Sequence, residues 1–372
     1  MKKHFLLTCL VILTALVASC NNPAPKLVQE VPLVKLIPVK LGDNYGYINR
    51  EGKTVIEPQY AEAGMFRDHL ALVNTASQAI PEYGFISEDG KFVIPSGYKD
   101  ATAFNEGIAW VVNKHSAPSA INTKGETQFT LNACSAVKIF KEGLAAFSVG
   151  DYANEQWGFV DKEGKVKIAP QYSAVGNFNY GKCGVKNKNE KWGYINRDGK
   201  IVIDYKFDVA FNFVRDKAIV ISGGKSGVIN DSGKYIIIPQ FQDIYNDNDM
   251  FVIVQDNKWG WCDKYGNILI TPQYLEAYPF LENEITAVKT DKGFGYIDKE
   301  GKMVINPQFN YAVSFNGNLG LVSTDSDKVG FIDKSGKYVI NPQFDDDSYD
   351  YVLYLLYGST THESVESDLK KK

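Results

Sequence analysis

The sequence predicts an all-β tandem array of nine three-stranded antiparallel units of about 35 residues, and three observations predict it. A phrase of the form aromatic-Gly-aromatic-Ile-Asp/Asn-x-x-Gly-Lys-x-x-Ile-x-Pro-Gln-aromatic recurs from Tyr45 to Phe344. Its leading glycine falls at Gly46, Gly84, Gly158, Gly193, Gly227, Gly260, Gly295 and Gly330, and a divergent copy has Ala120 there; successive positions are 38, 36, 38, 35, 34, 33, 35 and 35 residues apart. The segments between turn residues are short and rich in Val, Ile, Tyr and Phe, which is strand composition.

Each unit reads as three strands. The first is an apolar run such as Leu70-Ala71-Leu72-Val73 or Leu319-Gly320-Leu321-Val322. The second is the aromatic phrase itself, as in Trp192-Gly193-Tyr194-Ile195, and the third is Lys-x-Val-Ile. Gly52, Gly90, Gly125, Gly164, Gly199, Gly233, Gly266, Gly301 and Gly336 close the turn between the last two. That step fits a type I turn ending in a left-handed residue, where most side chains would cost roughly 1–2 kcal/mol. Asn49, Asn122, Asn196, Asp161, Asp298 and Asp333 open the turn. An Asx hydrogen bond to backbone two residues on is expected of them. Calcium ligation is not, since Asp-Lys-Glu-Gly offers no ladder of alternating oxygens. The Pro-Gln pairs that follow are expected to end the third strand and to tie the bend to a neighbouring unit through the glutamine. A polar stretch then carries an aromatic, such as Phe104, Phe178, Phe213, Phe280 or Phe315.

These residues resemble the bacterial WG-repeat family, also written KWG. Lys191-Trp192-Gly193-Tyr194-Ile195-Asn196 and Lys258-Trp259-Gly260-Trp261 match its naming motif. The resemblance runs from about Leu33 to Tyr357. Tyr45, Tyr83 and Phe294 replace the tryptophan, and Ser119, Ser226 and Val329 drop the aromatic. The resemblance implies a β-rich repeat array, often on secreted or membrane-anchored proteins. It carries over no activity and no catalytic residue.

Propellers usually have four to eight blades of four strands. Nine units of three strands fit that poorly, so an open, curved or superhelical array is expected, with a β-propeller-like ring as the alternative. Val34 to Leu41 is expected to add a leading strand and Tyr351 to Tyr357 a last one, as caps on the two ends.

Residues 1–19 read as a lipoprotein signal peptide. Met1-Lys2-Lys3-His4 is basic, and Phe5–Val17 is an apolar run of 13 residues, too short to span a bilayer. Leu16-Val17-Ala18-Ser19-Cys20 resembles a lipobox, which implies acylation of Cys20. Residues 20–32 form a Pro-containing linker, 33–357 the repeat domain and 358–372 a polar tail. The expected location is the bacterial envelope. Asn21 is not the aspartate that resembles an inner-membrane retention signal, so the outer membrane is favoured in a Gram-negative host.

Net charge is −4, and loss of Lys2 and Lys3 takes it to −6. With no Lys/Arg cluster, nucleic acid is not an expected partner. Cys183 and Cys262 read as buried apolar substitutions; with Cys134 they make an odd count, and the spacing fits no zinc site. A bridge among them stays open. His69, His115 and His362 lack a metal-spaced partner. Gly223-Gly224-Lys225-Ser226 lacks the upstream glycine of a phosphate loop and leads into a strand. Asp247-Asn248-Asp249 and Asp345-Asp346-Asp347 read as solvated turns. No cofactor, metal or enzymatic activity is expected. The candidate ligand-binding residues are Trp110 and Trp261, the tryptophans outside the Trp-Gly position, which could stack a sugar or anchor a partner. Trp261 stands where other units have Tyr or Phe, so a core role competes there.

The expected function is a lipid-anchored envelope binding or scaffold protein with protein partners. The alternative is a glycan- or peptidoglycan-binding lipoprotein, which requires a row of exposed aromatics on one face. A third reading is an envelope enzyme with a site assembled from loops.

Overall fold

The structure, a computed structural model, describes residues 35–345 apart from 77–79, 114–115, 152–153, 282 and 325–327. Cys20, the leader, the linker, His115, His362, the Tyr351–Tyr357 segment and the tail lie outside the described residues.

Nine antiparallel sheets follow one another along the chain, with no helix among the described residues, and they form a nine-bladed propeller. Blade 1 consists of β1 (Ile37–Leu41), β2 (Asn44–Ile48) and β3 (Thr54–Tyr60). Blade 2 consists of β4 (Glu62–Arg67), β5 (Leu70–Asn74), β6 (Tyr83–Ile86) and β7 (Phe92–Tyr98). Blade 3 consists of β8 (Asp100–Ala101), β9 (Ile108–Val112), β10 (Ser119–Asn122) and β11 (Thr127–Thr130). Blades 4 to 9 repeat the four-stranded meander over 136–172, 174–207, 209–241, 243–274, 276–309 and 311–345. The expected leading strand is β1. The additional first strand of each later blade was not expected. In six blades it is only two residues long, as in β8, which is too short to leave a period in the sequence.

The expected open array is not what forms. Every turn glycine but Gly164, which faces Phe129, faces the buried isoleucine of the preceding blade's edge strand: Gly90 faces Ile56, Gly199 faces Ile168 and Gly336 faces Ile305. Gly52 of blade 1 faces Ile340 of blade 9 in the same way. Ile37, Val39 and Ile48 share one core cluster with Leu321, Phe331 and Ile340. The two ends therefore bury each other, and the ring closes. The seam residues are alike in most units, so the angle between neighbours repeats and the ninth blade returns to the first.

The turns follow their expected chemistry. Asn196 Oδ1 accepts the N–H groups of Asp198 at 3.1 Å and Lys200 at 2.9 Å, and Asp161 does the same for Glu163 and Lys165. The closing glycines have φ between 77° and 92°.

The Pro-Gln pairs differ from expectation. The edge strand runs through them, as in Val166–Tyr172, which contains Pro170 and Gln171. Proline is tolerated there because an edge strand has no further ladder to feed. Trp157 pairs with Tyr172 and Phe159 with Ile168, so the edge strand carries extra residues in a bulge. Gln59 and Gln171 donate to carbonyls two residues back in their own strands, not to a neighbouring blade. The bulge explains the glycine of the Trp-Gly pair. A Cβ on Gly158 would sit 2.5 Å from the Ile168 oxygen and 2.6 Å from the Pro170 nitrogen.

Blade 3 is the exception on both counts. Ala120 pairs with Phe129 and Ile121 with Thr127, the partners that Tyr194 and Ile195 find in Ile203 and Ile201. The register of this unit is therefore one residue earlier than the sequence suggests. Ala120 holds the place of the second aromatic, and Ser119 holds that of the glycine. Ser119 pairs directly with Thr130, with no Pro-Gln bulge to leave room for.

Candidate binding site

The seams between blades are built from aromatic pairs. In six seams the aromatic after the marker glycine packs on the phenylalanine of the following blade. The ring centroids of Tyr194 and Phe213 are 4.9 Å apart, those of Phe159 and Phe178 4.9 Å, and those of Tyr296 and Phe315 5.1 Å. Where the first member is tyrosine, its hydroxyl donates to the carbonyl two residues before that phenylalanine. Tyr194 reaches the Phe211 oxygen at 2.7 Å and Tyr296 the Val313 oxygen at 3.0 Å.

Trp110 and Trp261 belong to these seams, which corrects their reading as surface ligand-binding residues. Trp110 is 1% exposed and Trp261 fully buried. Trp110 lies on β9 directly opposite Ala120. It fills the space the missing aromatic leaves and stacks on Phe140 of blade 4 at 5.6 Å. Its Nε1–H donates to the Lys138 oxygen at 3.0 Å, two residues before Phe140, as the tyrosine hydroxyls do elsewhere. Trp261 packs on Phe280 at 5.3 Å.

The structure corrects the reading of Asp247 as part of a solvated turn. It is buried, and its carboxylate accepts Trp261 Nε1–H at 2.9 Å, Phe280 N–H at 2.9 Å and Leu281 N–H at 2.7 Å. Burial pushes its pKa up to about 6 against the opposing pull of those donors. The available signal was positional: Asp247 follows Phe241 by six residues, the spacing that puts Phe213 after Phe207. Its neighbour Asp249 is exposed, 3.8 Å from Arg215.

The remaining candidates do not converge. Cys183 and Cys262 are buried with thiols pushed up to about 12 by burial, and Cys134 is half-buried; all three are free. Among the described residues no cluster of His, Cys, Asp and Glu could hold a metal ion. His69 is exposed, 3.6 Å from Glu88. Among the described residues the exposed aromatics are Phe92, Tyr235 and Tyr265, and no tryptophan is among them. Trp157 lies under Lys138 Nζ, 5.0 Å from its ring, and Trp259 stacks on Tyr245 at 5.1 Å. Phe92 and Tyr235, though exposed, lie edge-on to Tyr60 and Phe207 of the preceding blades.

What varies around the ring is one set of loops. In an antiparallel meander the loops between second and third strands share a face with the connectors between blades. On that face the second and third strands are separated by residues 75–82, 113–118 and 150–155 in blades 2, 3 and 4, by 187–191 in blade 5 and by 324–327 in blade 9. The equivalents in blades 1, 6, 7 and 8 are the two-residue turns 42–43, 223–224, 256–257 and 291–292. At the base of the first long loop, Asn74 Oδ1 accepts the N–H groups of Ala76 and Glu82 at 3.1 and 3.0 Å. Tyr83 donates to Glu62 at 3.0 Å, and Asn74 Nδ2 approaches the same carboxylate at 3.4 Å. These three residues, with Met65, Arg67 and Leu72, line a cleft of about 200 Å³. Gly64 and Met65 bulge from β4 beside it, because the β4–β5 ladder slips between Ala63 and Phe66. The cleft offers a carboxylate, an amide, a phenol and a guanidinium with apolar walls. That set suits recognition of a polar group and supplies no activated nucleophile.

Comparison with curated proteins gives no match. Among solved structures the chain is similar to a computationally designed protein, Ika8, at 11% identity and a TM-score of 0.44, over 74% of this chain and 96% of that one. It is also similar to BamB from Moraxella catarrhalis at 10% identity and a TM-score of 0.41, over 71% and 93% of the two chains. AztD from Citrobacter koseri matches at 11% identity and a TM-score of 0.41, over 83% and 95%. The sequence profile of the WG-containing repeat matches residues 45–75, 83–114, 157–192, 192–225, 227–259, 259–293, 294–326 and 330–346. The one interval longer than ten residues between its matches, 115–156, contains the strands β10 and β11 where the glycine and the bulge are lost. With most of its length so matched, the chain belongs to the WG-containing repeat family.

Proposed function

We propose that this is a lipid-anchored binding or scaffold protein of the bacterial envelope, which takes a protein partner on the loop face of blades 2 to 4. The loop asymmetry carries this reading. Seam residues set the frame of most blades, whereas the three longest of these intervals, 75–82, 113–118 and 150–155, fall on adjacent blades, and the longest of them borders the Glu62–Asn74–Tyr83 cleft. Binding residues concentrate on loops that a rigid scaffold positions. The anchor rests on the lipobox-like residues before Cys20. One acyl chain gives only marginal membrane affinity, so stable attachment needs a second. The glycan alternative is the weaker, since it requires a row of exposed aromatics, whereas Trp110 and Trp261 lie in the seams and Trp157 and Trp259 are half-buried beside Lys138 and Tyr245.

A photo-crosslinking residue placed in the loop 75–82, in cells making the full chain, tests the binding face. Reproducible capture of one or two envelope proteins is expected, against none from the same probe in the turn 256–257. Equal capture at both positions, or capture of glycan alone, would sink the reading. For the anchor, metabolic labelling with a fatty-acid analogue should mark the protein, and Cys20→Ser should remove the label and release it from membranes. An unlabelled parent chain would refute lipidation.

A further inference from the structure

Blades 2 and 8 carry one constellation in two versions. Their first strands and the residues after them read Glu62-Ala63-Gly64-Met65-Phe66 and Glu276-Ala277-Tyr278-Pro279-Phe280. Glu62 pairs with Asn74 and Asn74 with Tyr83, as Glu276 pairs with Lys289 and Lys289 with Phe294. In blade 8 the Lys289 ammonium lies 3.8 Å from the Glu276 carboxylate and 5.2 Å from the centre of the Phe294 ring. The Tyr278 hydroxyl donates to the same carboxylate at 2.8 Å, and its ring lies 6.3 Å from that of Phe294. A lysine over the ring at this position recurs: Lys40 Nζ lies 5.8 Å from the Tyr45 ring and Lys138 Nζ 5.0 Å from that of Trp157.

Blade 2 keeps the carboxylate and the ring and changes the rest. Asn74 stands where Lys40 and Lys289 stand, and Gly64 stands where Lys138 and Tyr278 stand. Glu62, Gly64, Asn74 and Tyr83, the equivalents of Glu276, Tyr278, Lys289 and Phe294, all line the cleft of about 200 Å³. Glu62 is exposed and accepts from two neutral groups, the Tyr83 hydroxyl and the Asn74 amide. Among the described residues no cation lies within ion-pair distance of it. Arg67 stands at the opposite end of β4, so the charge at the Asn74–Tyr83 end is negative. We propose that this cleft takes the primary ammonium of a lysine side chain of the protein partner. The ammonium sits by the Glu62 carboxylate and the Tyr83 ring, as that of Lys289 sits by Glu276 and Phe294, with its stem against Leu72 and Met65 of the same cleft. A carboxylate and an aromatic face both attract an ammonium, and the apolar stem of a lysine packs on apolar walls. The assignment rests on the binding face proposed above and names the chemistry which that face selects.

Zero-length carbodiimide coupling on cells making the full chain is the direct test. Mass spectrometry should find an isopeptide bond between Glu62 and a lysine of another protein, with the intrachain Glu276–Lys289 link as internal control. With the photo-crosslinking residue in the loop 75–82, Glu62→Gln should lower capture of that protein about fivefold or more, and Tyr83→Phe should not, because Phe294 supplies the ring without a hydroxyl. Capture that Glu62→Gln leaves unchanged would overturn the lysine assignment and leave the binding face standing. So would a Glu62 joined to no protein lysine, or to a lipid or free amine instead, in cells where the Glu276–Lys289 link forms. No capture by the parent chain would take both readings down.

Discussion

Asp247 stands in the place of a seam phenylalanine and turns that place from apolar to charged. Because burial raises its pKa from 3.8 to about 6, the folded state holds the proton more tightly than the unfolded chain does. Its stabilising contribution is thus complete below the unfolded pKa and is lost as pH rises through about 6, a change on the order of 3 kcal/mol. Asp247→Asn removes the titration and turns an amide NH₂ toward donor N–H groups. The variant should be less stable by roughly 1–3 kcal/mol at pH 5, with a smaller deficit at pH 8. Urea unfolding at the two pH values measures this, and a deficit independent of pH would mean that Asp247 does not titrate in this window. The marker glycines give a second prediction at this scale. Gly158→Ala puts a Cβ 2.5 Å from the Ile168 oxygen and should destabilise by about 1–3 kcal/mol. Ser119→Gly, at the equivalent site without a bulge, should cost no more than about 1 kcal/mol. If both cost the same, the bulge is not what requires glycine.

At the scale of the element, blade 3 exchanges the positions of large and small. In most other blades a large aromatic on the third strand faces a smaller residue on the second, as Tyr194 faces Gly184. In blade 3 Trp110 on the second strand faces Ala120 on the third, and both arrangements reach the same carbonyl of the next blade. Trp110→Ala should therefore destabilise by about 3–5 kcal/mol, as removal of a buried aromatic does. Trp110→Phe should keep the stack on Phe140 and lose mainly the Nε1–H bond, about 1 kcal/mol. Calorimetry of both variants checks this, and a neutral Trp110→Ala would restore the surface reading of that residue. Blade 3 also marks how far the sequence was legible. The turns and the three longer strands could be read because their residues recur at fixed offsets for a stated steric or hydrogen-bonding reason. The first strand could not, since two residues carry no periodicity. The bulge could not, since proline looks alike at the end of a strand and within an edge. Trp110 could not, since its partner Phe140 is thirty residues away and the unit's register had slipped by one. The cleft at Glu62, Asn74 and Tyr83 is assembled from three strands and has no motif at all.

For the whole molecule, closure changes what stability means. In an open array each end unit has one neighbour, frays first, and loses nothing when contacts between the first and last units are removed. In the ring, Arg50 of blade 1 donates to the Asn316 side chain at 3.1 Å, the Asn316 carbonyl at 2.6 Å and Asn318 at 2.8 Å, all in blade 9. Lys162 makes the corresponding reach from blade 4 to the Glu106 carbonyl of blade 3 at 2.8 Å. Arg50→Ala should therefore destabilise the whole protein by about 1.5–3 kcal/mol, the range for hydrogen bonds to a charged group, and Lys162→Ala by a comparable or smaller amount. The distribution of the effect separates the two architectures more sharply than its size. In a closed ring the broken seam becomes a new pair of ends, so amide exchange should rise in blades 9 and 1 together and fall off with distance on both sides. An open array would show fast exchange at both termini already in the parent chain, and Arg50→Ala would leave that pattern where it was.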